Sequence, residues 1–313
     1  MALNVGFIGL GIMGQPMARN VAKGDFQLTV FNRSSEKAKP LADAGASVAP
    51  TPKAVAEASD VIILMLSGPE AIDSVLQGPE GLIAGMKAGQ TLVNMSTVSP
   101  AYSKQLAEKL TAESVVAIDA PVSGSRKPAE EGALVILAGG PRNKVTDLEP
   151  LFMSMGKKVV YCGEAGQGSS MKMSVNLLLG IMAAGISEAV NLGQKCGLDT
   201  ATMLETMLAG PMGCALFEFK KPMLIDDRFQ RGCFGVHGDD VGQHLNSLGD
   251  FSQVQSYIHA CNFVDLDDDI GGFKTLESGV LGHQVVPADE QFPNPIGSNV
   301  VGGGGVNDIG AHV

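Results

Sequence analysis

A glycine-rich turn between a short apolar segment and an amphipathic segment places the strongest constraint on the fold of this chain. Residues 3–8 (LNVGFI) predict a buried strand, and GLGIMG at residues 9–14 follows it directly. Residues 15–23 predict a helix, and residues 27–31 predict a second strand. A strand, a GxGxxG turn, a helix and a further strand form the unit that binds a dinucleotide pyrophosphate at a helix N-terminus. The alternative interpretation is a glycine-rich turn with a purely structural role.

The glycines of this turn have distinct expected roles. Gly9 makes the tight turn, Gly11 lets the backbone approach a pyrophosphate, and Gly14 lets the helix pack on the strand. We predict that the loop as a whole binds the cofactor, through Gly9, Leu10, Gly11, Ile12, Met13 and Gly14.

The end of the second predicted strand indicates which dinucleotide is bound. An acidic residue there would bind the ribose 2′-hydroxyl of NAD, but the sequence reads Asn32-Arg33-Ser34, and Glu36 is the first carboxylate. A guanidinium between two small polar groups suits a 2′-phosphate, so the sequence favours NADP (NADPH). The alternative is that Arg33 is a solvated surface arginine.

Strand and helix patterns continue to alternate as far as residue 162, which predicts a doubly wound parallel sheet. Ligands on such sheets bind beyond the carboxyl ends of the strands. Polar residues follow three of these ends, so we expect one cleft lined by residues 66–69, which begin with Leu66 and Ser67, by residues 94–99, which include Thr97, and by residues 119–125. Ser99 and Pro100 predict the start of a helix that runs to residue 113.

Residues 163–197 predict a glycine hinge followed by one long helix. Lys172 and Asn176 lie near its start, and their spacing places them on one face. The following turns are so apolar that we expect protein to cover most of the helix. Lys172 therefore either extends to water along the surface or points into a cleft, and the spacing alone leaves both interpretations open. Residues 199–209 predict a second helix, and residues 211–222 predict a less regular segment.

The composition of the chain limits which partners it can have and in which compartment it is expected. The apolar stretch at residues 175–186 is shorter than the roughly 18–20 residues of a membrane span, so no membrane partner is expected. Five scattered cysteines without a CxxC pair argue for reduced thiols in the cytoplasm and against a zinc site. The net charge of −11 does not indicate a nucleic-acid partner, which would be expected to bind a basic surface.

The last quarter of the chain has a different composition. Residues 232–313 contain eleven acidic residues and one basic residue, Lys274, and all five histidines lie beyond residue 231. Residues 231–313 also contain fifteen glycines and no sustained helical period. We interpret this segment as an atypical acidic, glycine-rich tail that is disordered or read in a shifted frame. The nucleotide sequence tests the second interpretation.

Five motifs together resemble the β-hydroxyacid dehydrogenase family, which contains 3-hydroxyisobutyrate dehydrogenase and the glyoxylate/succinic semialdehyde reductases. The resemblance runs to about Phe229, and residues 125–138 look most like the glyoxylate/succinic semialdehyde reductase branch. The matching motifs are GFIGLGIMGQPMA (6–18), FNRS (31–34), MSTVSP (95–100), DAPVSGS (119–125) and GQGSSMKMSVN (166–176).

The resemblance implies a Rossmann-type domain followed by an all-helical domain built on a long central helix. It implies that Lys172 is the catalytic lysine, that Asn176 assists it, and that Thr97 lies between nicotinamide and substrate. The loop of Ser123, Gly124 and Ser125 would bind the substrate carboxylate. Family members are homodimers or homotetramers.

We therefore expect an NADP-binding domain at residues 1–162, the start of a helical substrate and oligomerisation domain at 163–230, and the atypical tail at 231–313. The expected activity is NADPH-dependent reduction of a small aldehyde acid, glyoxylate or succinic semialdehyde, to the hydroxy acid. One alternative is a 3-hydroxyisobutyrate or related 3-hydroxyacid dehydrogenase. Another is a non-catalytic nucleotide-binding protein on the same fold.

Overall fold

The computed structural model describes residues 2–225, which form a twisted sheet and a set of helices. The nine strands of this part of the chain are β1 (Leu3–Ile8), β2 (Phe26–Phe31), β3 (Ser47–Val48), β4 (Val61–Leu64), β5 (Thr91–Asn94), β6 (Val116–Asp119), β7 (Val122–Ser123), β8 (Leu134–Gly139) and β9 (Gly156–Gly163).

Helices connect these strands and continue after the last of them. They are α1 (Gly14–Ala22), α2 (Lys39–Ala42), α3 (Pro52–Glu57), α4 (Pro69–Leu76), α5 (Leu82–Gly85), α6 (Pro100–Ala112), α7 (Arg126–Glu130), α8 (Arg142–Asp147), α9 (Glu149–Met155), α10 (Gln167–Lys195), α11 (Thr200–Ala209) and α12 (Ala215–Ile225). A 3₁₀ helix at Ser35–Ala38 precedes α2.

The strands form one sheet in the order β3-β2-β1-β4-β5-β6-β8-β7, with β9 paired to β8. The first six strands are parallel, as predicted. Their carboxyl ends therefore lie at one edge of the sheet, and the order reverses beside β1. This reversal is where ligands bind in doubly wound folds.

The predicted doubly wound sheet is present, and its last part adds antiparallel pairs to the parallel strands. Strand β8 runs antiparallel to both β6 and β7, and β9 is parallel to β8. Between β7 and β8 the chain contains only the short helix α7. A parallel return needs a crossover of a dozen or more residues, whereas a shorter connection reverses the chain direction. The sheet is therefore mixed.

Two hydrophobic layers cover the sheet, one on each face. All four residues of β4 are buried, and they alternate between the layers: Ile63 packs in the layer that contains Met17 and Phe152, and Ile62 packs in the layer that contains Leu106. Because both faces are covered, the strand reads as a continuous apolar run rather than as alternation.

Helix α6 starts as the sequence predicts. The Ser99 side chain accepts a hydrogen bond from the Tyr102 N–H at 3.2 Å, and Pro100 occupies the first helical position. Helix α11 has a comparable cap, since the Asp199 carboxylate accepts a bond from the Thr202 N–H at 2.8 Å. These side chains satisfy N–H groups that have no partner inside a helix.

The long predicted helix is present as α10, which has 29 residues. The prediction that protein covers most of it does not hold within residues 2–225, where Leu178 is 59% and Leu192 is 66% exposed. The helix also has the length and hydropathy of a membrane span, although the apolar stretch alone suggested otherwise. Its first turns nevertheless pack against β6, β8, β9 and α6, as a core helix does.

A helix, α12, replaces the less regular segment predicted for residues 211–222, despite Pro222 in its interior. Phe217 and Leu224 pack against a small core formed by α10 and α11, and the Lys221 ammonium lies 3.1 Å from the Glu205 carboxylate. This packing outweighs the lost backbone hydrogen bond at the proline. The predicted tail at 231–313 lies outside the described residues.

Two glycines of α10 provide a test of how the helix docks on the sheet. A Cβ atom at Gly168 would collide with the Leu137 carbonyl oxygen and lie 2.6 Å from the Asp119 carbonyl oxygen, whereas one at Gly185 would meet nothing within 4 Å. We expect Gly168→Ala to lower the free energy of unfolding by about 1–3 kcal/mol through overpacking. Gly185→Ala should raise it by up to about 1 kcal/mol through helix propensity.

Urea unfolding of both variants measures these differences. The two substitutions add the same methyl group to the same helix, so the opposite signs isolate the contact with the sheet. Equal stability of the two variants would contradict close docking of the first turn.

Candidate active site

The glycine turn has the backbone that the sequence predicts. Gly9 has φ +99°, and a Cβ atom there would collide with the Met65 carbonyl oxygen. A Cβ at Gly14 would collide with the Gly9 carbonyl oxygen, so the first turn of α1 packs on the turn itself. A Cβ at Gly11 would meet nothing within 4 Å. The loop is therefore closed towards the sheet and open at Gly11, where a diphosphate can approach the backbone.

The remaining loop residues differ in exposure. Leu10 is buried in the core, Met13 is half-buried, and Ile12 is exposed. The Leu10 side chain therefore anchors the loop to the protein and is too deeply buried to contact a cofactor. The Leu10 N–H group is the part of this residue that meets a polar neighbour.

Asn32 is that neighbour, and it holds the glycine turn in place. Its Oδ1 accepts a hydrogen bond from the Leu10 N–H at 2.8 Å, and its Nδ2 donates to the Ser34 carbonyl oxygen at 3.0 Å. Arg33 and Ser34 are exposed, and Arg33 forms no ion pair with any residue of the range 2–225. The Arg33 guanidinium is thus available to bind an anion outside the loop. The Asn32 side chain instead forms hydrogen bonds that hold the loop in shape.

The ends of β4 and β5 are tied together beside this turn. The Leu66 N–H donates to the Ser96 Oγ at 2.9 Å, and the Ser96 N–H donates to the Asn94 Oδ1 at 3.1 Å. Thr97 follows as a half-buried residue, and Ser67 is exposed. Leu66, Ser67 and Thr97 therefore lie at the same edge of the sheet as the glycine turn.

The end of β6 leads into the loop predicted to bind a carboxylate. Ser123 is half-buried in β7, whereas Gly124 and Ser125 are exposed. Gly124 has φ +133°, a conformation that favours glycine. Ser125 precedes α7 without a side-chain cap bond. The Ser123 hydroxyl and the backbone of Gly124 are thus free to bind an anion.

Lys172 is buried, with 9% of its surface exposed. Burial lowers the pKa of its ammonium from the ordinary 10.5 to about 8. Among residues 2–225 no carboxylate forms an ion pair with it. This burial argues against extension of the side chain to water along the surface. A buried, unpaired lysine with such a pKa can donate a proton near neutral pH.

Asn176 lies one helical turn after Lys172 and is 2% exposed. Its Nδ2 has no hydrogen-bond partner among the described residues. A buried amide donor without a partner is costly, so such groups point to a ligand that completes them. Lys172 and Asn176 together present an ammonium and a free amide donor to the same side of α10.

A buried carboxylate that the sequence analysis did not single out holds the start of α10. The Asp119 oxygens accept hydrogen bonds from the N–H groups of Gly166 and Ser169, each at 2.7 Å. Burial raises the pKa of the Asp119 carboxyl, and these two bonds oppose the rise because they favour the ionised form. A carboxylate at a strand end, followed later by a glycine-rich helix start without a capping side chain, is the available signal in the sequence.

The burial of Lys172 predicts a pH-dependent stability. Below pH about 8 the amine is charged in both states and the folded state bears the cost of desolvation. Between pH about 8 and 10.5 the unfolded chain binds a proton that the folded chain releases, so this group's penalty fades as pH rises. Lys172→Met should therefore raise the free energy of unfolding at pH 7 by on the order of 3 kcal/mol.

Denaturant unfolding between pH 7 and 10.5 measures this difference, which should shrink across the interval. Lys157→Met removes the same charge from an exposed position and serves as the control. A gain that is independent of pH, or equal in both variants, would contradict the desolvation of Lys172.

Two family models match the chain. The NAD binding domain of 6-phosphogluconate dehydrogenase matches residues 4–163, and the NAD-binding domain of NADP-dependent 3-hydroxyisobutyrate dehydrogenase matches residues 166–253. The second match corrects the sequence analysis, which ended the resemblance at Phe229. The matched residues beyond 225 lie outside the described part of the chain.

Known proteins are similar over most of this chain. Glyoxylate/succinic semialdehyde reductase 2, chloroplastic, from Arabidopsis thaliana is 37% identical over 223 residues, which are 71% of this chain and 62% of that protein. Glyoxylate/succinic semialdehyde reductase 1 from the same organism is 38% identical over 222 residues, 71% of this chain and 77% of that protein.

A solved structure, Psf3 in complex with NADP+ and 2-OPP, has a TM-score of 0.71 and 26% identity, covering 82% of this chain and 93% of that chain. The fold, the two family models and the related reductases agree. The chain belongs to the β-hydroxyacid dehydrogenase family of oxidoreductases, which includes 3-hydroxyisobutyrate dehydrogenase and the glyoxylate/succinic semialdehyde reductases.

Proposed function

We propose that this protein is an NADPH-dependent reductase of small aldehyde acids, converting glyoxylate to glycolate or succinic semialdehyde to 4-hydroxybutyrate. The observation that carries the proposal is the buried ammonium of Lys172, which has no ion-pair partner in residues 2–225 and lies one turn before the unpartnered Asn176 amide. Two relatives at 37% and 38% identity are named for these substrates.

The residues present fit a dinucleotide. The turn from Gly9 to Gly14 is open at Gly11, and the N-terminus of α1 follows it, which suits a pyrophosphate. Leu66, Ser67 and Thr97 border the same sheet edge and would hold the nicotinamide half. When bound, the reduced nicotinamide supplies a hydride to the aldehyde carbon.

The choice of NADP rests on the end of β2. Arg33 is exposed and without an ion-pair partner in the described range, and Asn32-Arg33-Ser34 contains no carboxylate that would repel a 2′-phosphate. The second matching family model is that of an NADP-dependent enzyme, and the related solved structure contains NADP+. Both support this choice for the present chain.

The roles of the protein side chains follow from the charges that reduction creates. Ser123, Gly124 and Ser125 bind the substrate carboxylate and orient its aldehyde group. As the carbonyl carbon gains a hydride, its oxygen gains negative charge, and the Lys172 ammonium donates a proton to that oxygen. The neutral amine left behind is tolerated because burial already lowers its pKa to about 8. The Asn176 Nδ2 donates a hydrogen bond that holds the reacting groups in register.

A 3-hydroxyisobutyrate dehydrogenase is the second candidate, because the model matching residues 166–253 is that of such an enzyme. The two activities share the reacting groups and differ in the substrate beyond the carboxylate. Initial rates separate them: NADPH oxidation with glyoxylate and with succinic semialdehyde is compared with NADP+ and NAD+ reduction by 3-hydroxyisobutyrate. Faster turnover of the hydroxy acid would favour the second candidate.

We also propose that the protein forms a homodimer or homotetramer and that it lies in the cytoplasm. Exposed apolar side chains on α10, including Leu178 and Leu192, support association with another copy. The scattered cysteines support a reducing compartment.

Lys172→Ala tests the proton donor. We expect kcat with glyoxylate to fall about 10²–10⁴-fold, the usual contribution of a positioned acid, while the affinity for NADPH stays within about twofold. Lys157→Ala, at an exposed position, should retain the wild-type rate. Equal rates in the wild type and Lys172→Ala would remove Lys172 from the mechanism. A wild type that binds NADPH and turns over no substrate would support the non-catalytic alternative.

Arg33→Ala tests the cofactor choice. Loss of a charge-assisted contact to the 2′-phosphate should raise the KM for NADPH about ten- to hundredfold and leave the KM for NADH unchanged. Arg19→Ala removes an exposed arginine from the last turn of α1 and should change neither value. A wild type that prefers NADH would contradict the proposed role of Arg33.

A further inference from the structure

Asp119 is a buried charged group that the proposed mechanism leaves without a role. It ends β6 and is 5% exposed. Its two oxygens accept hydrogen bonds from the Gly166 and Ser169 N–H groups, which have no partner within α10. Gly166 itself offers no side-chain cap. The helix is therefore capped by a strand residue, Asp119, which precedes Gly166 by 47 residues and Ser169 by 50.

Two glycines, which lack side chains, lie close to this carboxylate. A Cβ at Gly139 would lie 2.7 Å from the Asp119 Oδ1 and 2.7 Å from the Gly168 nitrogen, and one at Gly168 would lie 3.0 Å from the Asp119 Oδ2. The backbones of β8 and α10 thus approach the carboxylate at distances that only glycine permits. The first turn of α10 has little freedom to slide relative to β6.

A second polar contact ties the same turn to α6. The hydroxyls of Ser103 and Ser169 lie 2.8 Å apart in a buried position. Asn94 pairs in register with Asp119, and Asn94, Ser103 and Asp119 border one small cavity. Helix α6 follows the loop that contains Thr97, so the start of α10 is fixed to two of the segments assigned to ligand binding.

The positions of the reacting groups along the chain give these contacts a consequence. Lys172 follows Ser169 by less than one helical turn, and Ser123 follows Asp119 across the short segment between β6 and β7. The same carboxylate therefore connects the helix that presents the proton donor to the strand that leads to the carboxylate-binding loop. Movement at Asp119 would change the distance between these two parts of the site.

We infer that Asp119 is a positioning residue for the reduction, acting through α10 to hold Lys172 in register with the loop of Ser123. This inference rests on the proposed function for the reaction in which Lys172 acts. Asp119 touches neither substrate nor cofactor in this assignment. A group that holds a reacting residue in place affects kcat strongly, because small displacements of reacting atoms cost large factors in rate.

The test compares Asp119→Asn with Asp199→Asn in the full-length protein. Both replace a helix-capping aspartate by the amide of equal size, but Asp199 caps α11 with an exposed side chain. In Asp119→Asn the new amide would turn its NH₂ group towards one of the two N–H donors and lose one cap bond. Steady-state kinetics measures kcat and the KM for NADPH. Pulse acetylation of the cofactor-free protein with peptide mass spectrometry measures the accessibility of Lys172.

We expect Asp119→Asn to lower kcat about 10–100-fold with the KM for NADPH within about twofold of wild type. Acetylation of Lys172 should accelerate several-fold because the first turn of α10 loosens. Asp199→Asn should leave kcat and Lys172 acetylation at wild-type values. Wild-type values for Asp119→Asn, or equal losses in the two variants, would overturn the inference.

Ser103→Ala covers the case in which Asp119→Asn does not fold. Removing one hydroxyl from the buried pair is a mild change, and it should shift kcat and Lys172 acetylation in the same direction by a smaller factor. Unchanged values would then overturn the inference. If the wild type reduces no aldehyde acid, the proposed function fails, while the acetylation of Lys172 still decides whether Asp119 positions it.

Discussion

Keeping the ammonium of Lys172 out of water is the energetic constraint on which this edge of the fold depends. No carboxylate of the described residues pairs with it, so its desolvation is offset by the packing of α10 on the sheet. That packing requires glycine at two positions, Gly139 and Gly168, and a carboxylate, Asp119, to satisfy the buried N–H groups that have no partner inside the helix. The reactive lysine and its structural support thus form one unit.

Local patterns predicted the alternation of strands and helices as far as residue 162, because each strand in a doubly wound sheet is an apolar run between helices. The direction of β8 was not predictable in this way, since it depends on the length of the connection after β7 rather than on the strand's own residues. Helix α12 also differed, because Pro222 is a local signal whereas the packing of Phe217 and Leu224 is tertiary. Patterns within a segment therefore predict whether it forms a strand or a helix better than they predict which elements it packs against.

The same distinction applies to the site. The glycine turn was predictable because its conformational demands fall within six consecutive residues. The burial of Lys172 was not, because its spacing on the helix fits both extension to water and a cleft, and only the packing of α10 on the sheet decides between them. The interpretation of Asn32 as a ligand for the cofactor did not anticipate its bonds to Leu10 and Ser34. Asp119 was expected only within the cleft-lining segment 119–125 and not as a helix cap, because its partners are backbone N–H groups distant in the chain.

The bonds of Asn32 separate two tasks that lie side by side. Asn32 maintains the shape of the diphosphate loop, and its exposed neighbours, Arg33 and Ser34, take no part in that support through their side chains. Under the proposed function, the selectivity between NADP and NAD depends on Arg33 and Ser34, whose side chains do not hold the loop in shape. Evolution or an engineer can therefore exchange those positions to retarget the enzyme to the other coenzyme, provided that the asparagine is kept.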